Sequence, residues 1–183
     1  GGQIGMTKMK MKRSFARISA FAITLAATAA LPAFANDWKA WEGQDKASPR
    51  AIYSDATDQP SALLTCGQNG LLSAVITVKP ASLPEQLARN APYSRAEKAS
   101  LMVGDADAVE TTVRFISAID VIEARSHSVA AKVFNAAVTG EPVKISVSRI
   151  GDITTVLPEP NDAFKAFART CEKSRQANKA SQG

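Results

Sequence analysis

Residues 6 to 35 read MTKMKMKRSFARISAFAITLAATAALPAFA, and this segment restricts the fold more than any other. Five basic residues (Lys8, Lys10, Lys12, Arg13 and Arg17) precede an uncharged, Ala-rich apolar run of 14 residues from Ile18 to Leu31. Pro32 interrupts the run. Ala33-Phe34-Ala35 then places small residues at the two positions a signal peptidase reads. A spanning helix needs about 20 apolar residues, so this run is short for a permanent anchor. The reading is a Sec-type signal peptide cleaved after Ala35, leaving no stable membrane anchor. Gly1 to Gly5 precede the first Met and match no part of such a signal. What has to fold is residues 36 to 183, one domain by size, able to bury about two thirds of its unfolded surface.

The same division changes the meaning of the charge. The whole chain carries 22 Lys+Arg and 17 Asp+Glu, a formal +5 that suggests a nucleic-acid or membrane-surface protein. Residues 1 to 35 hold five of the basic residues and none of the acidic ones, so residues 36 to 183 carry 17 of each and are neutral. No nucleic-acid partner is expected. The basic residues of the tail (Lys165, Arg169, Lys173, Arg175 and Lys179) suit a helix C-terminus and its dipole. With 45% apolar and 21% charged residues, the chain is neither disordered nor multispanning.

Cys66 and Cys171 are the only cysteines, and an export route favours their oxidation. Cys66 ends the apolar stretch Ala62-Leu63-Leu64-Thr65-Cys66. Cys171 follows Phe164, Phe167 and Ala168 at i+7, i+4 and i+3, which puts the thiol on a buried helix face. The expectation is a structural disulfide tying the sheet to the C-terminal helix. A redox pair would call for Cys-x-x-Cys spacing.

The hydrophobic pattern predicts an α+β fold, a single antiparallel β-rich domain with two helices in its C-terminal third. Residues 37–42 suit a short first strand or an extended arm, and 51–53 read as a second short strand. A hairpin runs from 62–66 through Asn69-Gly70 into 71–78. Residues 80–96 read as irregular, with one helical turn near Glu85 to Ala88. Strands follow at 99–103, 109–115 and 119–124, with a helix as the alternative for the last. Val109, Thr111, Val113 and Phe115 alternate with Glu110, Thr112 and Arg114, the period of a half-buried strand. From Ser128 the period becomes helical through Val129, Ala130, Val133, Phe134, Ala137 and Val138, until Gly140. A last hairpin covers 143–148 and 153–157, turning at 150–152. Asn161 caps a helix from 162 to about 173, and 172–183 is expected to be a frayed polar tail.

Candidate chemistry is thin. His127, the only histidine, lies between two hydroxyls at a helix start and is the candidate general base. Asp55 and Asp58 share a polar loop and are the candidate carboxylate pair. Either would support a small periplasmic hydrolase as the alternative reading. Asp105, Asp107 and Glu110 lack the glycine and terminal glutamate of a calcium loop and read as a solvated turn. No metal and no cofactor are expected. Trp38 and Trp41 are the candidate interaction residues, with core or edge packing as the competing use. A ligand-binding domain would require an apolar pocket between the sheet and the helix at 129–139.

The order of segments from 61 to 171 is a strand ending Leu64-Thr65-Cys66, then a helix ending Thr139-Gly140. The hairpin Val143-x-Ile145-x-Val147 follows, then a helix ending Phe167-Ala168-Arg169-Thr170-Cys171. This layout resembles small exported bacterial proteins of the invasion-associated locus B kind and type VI secretion accessory proteins of the VasI kind. The extra cysteines and the Gly-containing segment after the last strand, features of the first family, are missing here. The resemblance implies a non-enzymatic accessory role in the periplasm or outside the cell, with a protein partner in the envelope. It transfers no functional residue.

Overall fold

In the computed structural model, residues 36–41 and 50–182 are described, all within one unit spanning Ala33–Gly183. The segment expected to be a signal peptide lies outside the described residues. Nine strands form one antiparallel sheet: β1 (Trp38–Ala40), β2 (Ala51–Ser54), β3 (Ala62–Cys66), β4 (Leu72–Thr77), β5 (Arg95–Val103), β6 (Val109–Ile116), β7 (Val121–Ala124), β8 (Pro142–Val147) and β9 (Gly151–Val156). Their spatial order is β1-β2-β3-β4-β7-β6-β5-β8-β9. Among the described residues three helices accompany the sheet, α1 (Leu83–Leu87), α2 (His127–Thr139) and α3 (Asp162–Ala180). The α+β, β-rich architecture expected from the pattern is the one observed.

The sheet curls into half a barrel whose inner face is apolar from strand to strand. Leu101, Ile145 and Ile153 stand side by side on β5, β8 and β9. Ile76, Ile122 and Phe115 do the same on β4, β7 and β6. Inside the curl lies α2, whose Val129, Ala130, Val133, Ala136 and Ala137 are buried against β4, β5, β7 and β8. Three of these five are alanine, small enough to let the helix approach the sheet closely. Gly140, at φ +72°, ends α2 in the left-handed conformation that glycine adopts without strain.

The curl brings the sheet's first strands to its last. Thr155 donates to the Pro60 carbonyl at 2.8 Å, and the Val156 amide donates to Gln59 Oε1 at 2.8 Å. Trp38 donates from Nε1 to the Pro158 carbonyl at 2.8 Å. Asn161 caps α3 by accepting from the Phe164 amide, and its own amide group donates to the Trp38 carbonyl. One side chain thus starts the last helix and holds the first strand.

Several boundaries differ from the sequence expectation. β5 begins at Arg95 rather than at 99, since Arg95-Ala96-Glu97-Lys98 pair in register with Phe115 back to Thr112 despite their polarity. Glu97 points to the core face, 5% exposed, with Arg95 Nε 2.6 Å from its carboxylate. The β8–β9 turn lies at 148–150, with Arg149 at φ +65°, and Gly151 already pairs with Val147. A 3-10 turn at Ser117–Ile119 precedes β7. The position preceding α2 is Ser126, whose hydroxyl meets that of Ser128 instead of capping the helix.

The tail expected to fray is instead helical as far as Ala180. Arg175 pairs with Glu172 at 2.7 Å, Gln176 donates to Glu172 at 3.0 Å, and Lys179 sits in the last turn, favourable to the dipole. The Cys66–Cys171 disulfide, as expected, joins β3 to α3. The backbone at Arg175 then presses against Gly70 of the β3–β4 turn.

Candidate functional site

The site is a cleft at one end of the sheet, where α2 and α3 meet the β3–β4 hairpin. Its volume is about 210 Å³. Leu72 of β4 contributes one wall; His127, Ala131, Phe134 and Asn135 of α2 a second; Ala168, Cys171 and Arg175 of α3 the third. The disulfide forms part of its lining and fixes α3 against the hairpin. Phe134 stacks on Phe164 at 4.7 Å between centroids, and Phe164 meets Trp38 at 5.2 Å. An aromatic row therefore runs from β1 to the edge of the cleft. A ligand-binding reading of the sequence requires an apolar pocket between the sheet and the helix at 129–139; this cleft is walled by α3 as well, and His127, Asn135 and Arg175 make its lining mixed rather than apolar.

His127 is half-buried in the first turn of α2, where its Nδ1 accepts a hydrogen bond from the Leu72 amide at 3.0 Å. A nitrogen that accepts from N–H must carry a lone pair, so the neutral ring bears its proton on Nε2. Nε2 is then a donor. In this arrangement the ring has no lone pair left to take a proton from a substrate. Its neighbours Ser126 and Ser128 bond to each other at 2.9 Å rather than to the imidazole.

Arg175 supplies the cleft's cationic group. Its side chain is 40% exposed and its Nη2 is held by Glu172 at 2.7 Å, while the Nε atom alone is buried without a hydrogen-bond partner. An orphaned guanidinium N–H is costly, because burial removes water and nothing replaces it. Sequence reasoning places Arg175 in a solvated tail. The available signal is its position four residues after Cys171, on the same helix face.

The other candidates lie elsewhere. Asp55 accepts from the Leu83 amide at 3.0 Å and so does the capping work for α1 that Ser82 leaves undone. Asp58 is exposed in the loop after β2. Asp105 and Asp107 are exposed in the β5–β6 turn. No group of three or more His, Cys, Asp and Glu side chains suited to a metal ion occurs among the described residues.

The two tryptophans have separate fates. Trp38 is 2% exposed and packed into the core, so it offers nothing to a partner. Trp41 is half-buried and packs edge-on against Tyr53 at 5.6 Å. With Ala40 and Pro84 these two rings line a recess of about 450 Å³ beside β1. Lys39 lies 5.9 Å above the Tyr53 ring.

No helix among the described residues is long and apolar enough to cross a membrane. No protein-family model, curated protein or solved structure matches this chain.

Proposed function

We propose that this chain is an exported, disulfide-tied, non-enzymatic interaction domain that serves as an envelope accessory and meets a protein partner at the Trp41–Tyr53 recess. The observation that carries the reading is the hydrogen bond from the Leu72 amide to His127 Nδ1. It turns the only histidine from a base into a donor, and Asp55 is likewise occupied by a backbone amide. Binding is what such groups do well. The disulfide across 105 residues supports an oxidising destination, in keeping with the export layout of residues 6 to 35. The role implied by the layout resemblance to invasion-associated locus B and VasI-type proteins belongs to the same proposal. The recess, rimmed by Trp41, Tyr53 and Pro84, suits an extended peptide segment bearing proline or aromatic side chains.

The test expresses the full chain in a Gram-negative host with a photo-crosslinking residue at position 41 or, as control, at exposed Val138. The expected product is periplasmic, begins at Asn36, has both thiols blocked, and gives one discrete protein adduct from position 41 alone. Retention in the cytoplasm, free thiols or equal adducts at both positions would overturn the proposal. So would ester hydrolysis by the purified protein that His127→Ala abolishes.

A further inference from the structure

We propose that Tyr93–Ser94 is the bond at which an endoprotease with an aromatic-binding primary pocket cuts the folded domain, leaving two chains held by the Cys66–Cys171 disulfide. Among the described residues the exposed large apolar side chains are Leu71, Tyr93, Val138 and Val156. Three of them sit on backbone that is already engaged. The Leu71 carbonyl accepts from the Gly67 amide at 2.9 Å, Val138 lies within α2, and Val156 ends β9. Tyr93 differs. It is 85% exposed, and the backbone from Asn90 to Tyr93 makes no hydrogen bond among the described residues. The other aromatic side chains of the described residues are buried or half-buried, so Tyr93 has no equal competitor for an aromatic pocket.

Nicking concentrates on exposed chain because bonded backbone has to open before a protease can take it as an extended strand. Asn90-Ala91-Pro92-Tyr93 needs no opening. Pro92 fixes its own φ and pushes Ala91 towards extended backbone, so the residues before the bond already have the shape a protease cleft requires. Beyond it, the Ser94 hydroxyl accepts from Arg114 Nε at 3.0 Å, and β5 pairing starts at Arg95. Seating the bond costs that contact and some fraying at the start of β5. Water then adds across the C–N bond, leaving a carboxylate on Tyr93 and an ammonium on Ser94. Both shoulders stay pinned. Upstream, Leu83 is fully buried with its amide on Asp55, and the Ser61 hydroxyl donates to the Ala81 carbonyl at 2.7 Å. Downstream, β5 is paired on both sides. The piece ending at Tyr93 carries Cys66 and the piece starting at Ser94 carries Cys171, and β4 pairs with β7 across the cut. This bond is separate from the Trp41–Tyr53 recess, and the inference stands whether or not a protein docks there.

The probe is chymotrypsin, used in trace amount on the exported, oxidised chain, with the products read by mass spectrometry. The first cut within residues 50–182 is expected after Tyr93. On electrophoresis the cut protein should run as one species without reductant and as two with it. The emission of Trp38, buried in the core, should stay where it is in the intact chain. Tyr93→Ser, a change at a fully solvated side chain, should slow the first cut at least about tenfold by emptying the primary pocket. Urea below the unfolding transition should leave the rate of the wild-type cut unchanged, because the bond is reached without global opening. A first cut elsewhere in 50–182, an unchanged rate for Tyr93→Ser, or a rate that climbs steeply with urea would overturn the assignment of the bond. Separation of the pieces without reductant, or tryptophan emission moving to that of the unfolded chain on cutting, would overturn the two-chain product.

Discussion

Gly70→Ala tests how the hairpin and the last helix are fitted together. Gly70 has φ +76°, and a Cβ built there would lie 2.5 Å from Arg175 Cβ and 2.6 Å from both the Cα and the N of Arg175. Two costs follow. Holding alanine in the left-handed region costs about 1–2 kcal/mol. Prising α3 off the hairpin adds the cost of overpacking, about 1–3 kcal/mol. The total is a loss of about 2–5 kcal/mol, a large share of a typical domain's stability. Gly140→Ala supplies the comparison, since Gly140 has φ +72° but nothing within 4 Å of the place its new methyl would take. That variant should lose only the backbone cost, about 1–2 kcal/mol. Guanidinium unfolding of the oxidised full chain, read as midpoint and slope, gives both values. Amide exchange should also quicken in the last turns of α3 for Gly70→Ala alone. Arg175→Ala should give no rescue, because the contact is with backbone and Cβ. If Gly70→Ala is no worse than Gly140→Ala, the close approach of hairpin and helix is wrong, and with it the shape of the cleft.

Replacing both Cys66 and Cys171 by Ser reopens a loop of 105 residues, and unfolding experiments should show a loss of about 4–5 kcal/mol. A change under about 1 kcal/mol would mean that the crosslink constrains little. Trp38→Phe keeps an aromatic ring but is smaller and strands the Pro158 carbonyl, and the stranded carbonyl alone should cost about 1–3 kcal/mol, measured the same way. Asp152 titrates below its ordinary value of 3.8, because hydrogen bonds from Lys144 and Ser146 favour the carboxylate. Its folded-state value is lower than its unfolded one, so its contribution is present above the unfolded value and lost as pH falls through the folded one. An NMR titration should show Lys144→Met moving Asp152 back up, and an unmoved value would discard the Lys144–Asp152 bridge as its cause.

What can be read from the residues is whatever local patterning decides. Asn161 announces the start of α3, Gly140 the end of α2, and the Val109–Phe115 alternation the inner face of β6. Illegible features depend on distant chain. Residues 95–98 are polar, yet they are strand because β6 is already there to pair with them. The second half of α3 has no apolar stripe, and it holds because the disulfide and Gly70 seat it. The tryptophan pair reads as one patch only if the strand period is ignored: positions three apart in a strand face opposite sides. The cleft draws on residues from 72 to 175, so no window of sequence contains it.

The bond from Trp38 to Pro158 joins residues 120 apart in the chain, and that from Asn161 to Asp37 joins residues 124 apart. For a polypeptide delivered N-terminus first, the opening strand emerges long before the segment that latches it. Until residues 158 to 171 arrive, the Trp38 indole has neither its acceptor nor the Phe164 ring to lie against, and Cys66 has no thiol to meet. Assembly is therefore an end-to-end event rather than a progressive one. A chain cut short anywhere before Pro158 leaves an exposed tryptophan and an unmated cysteine.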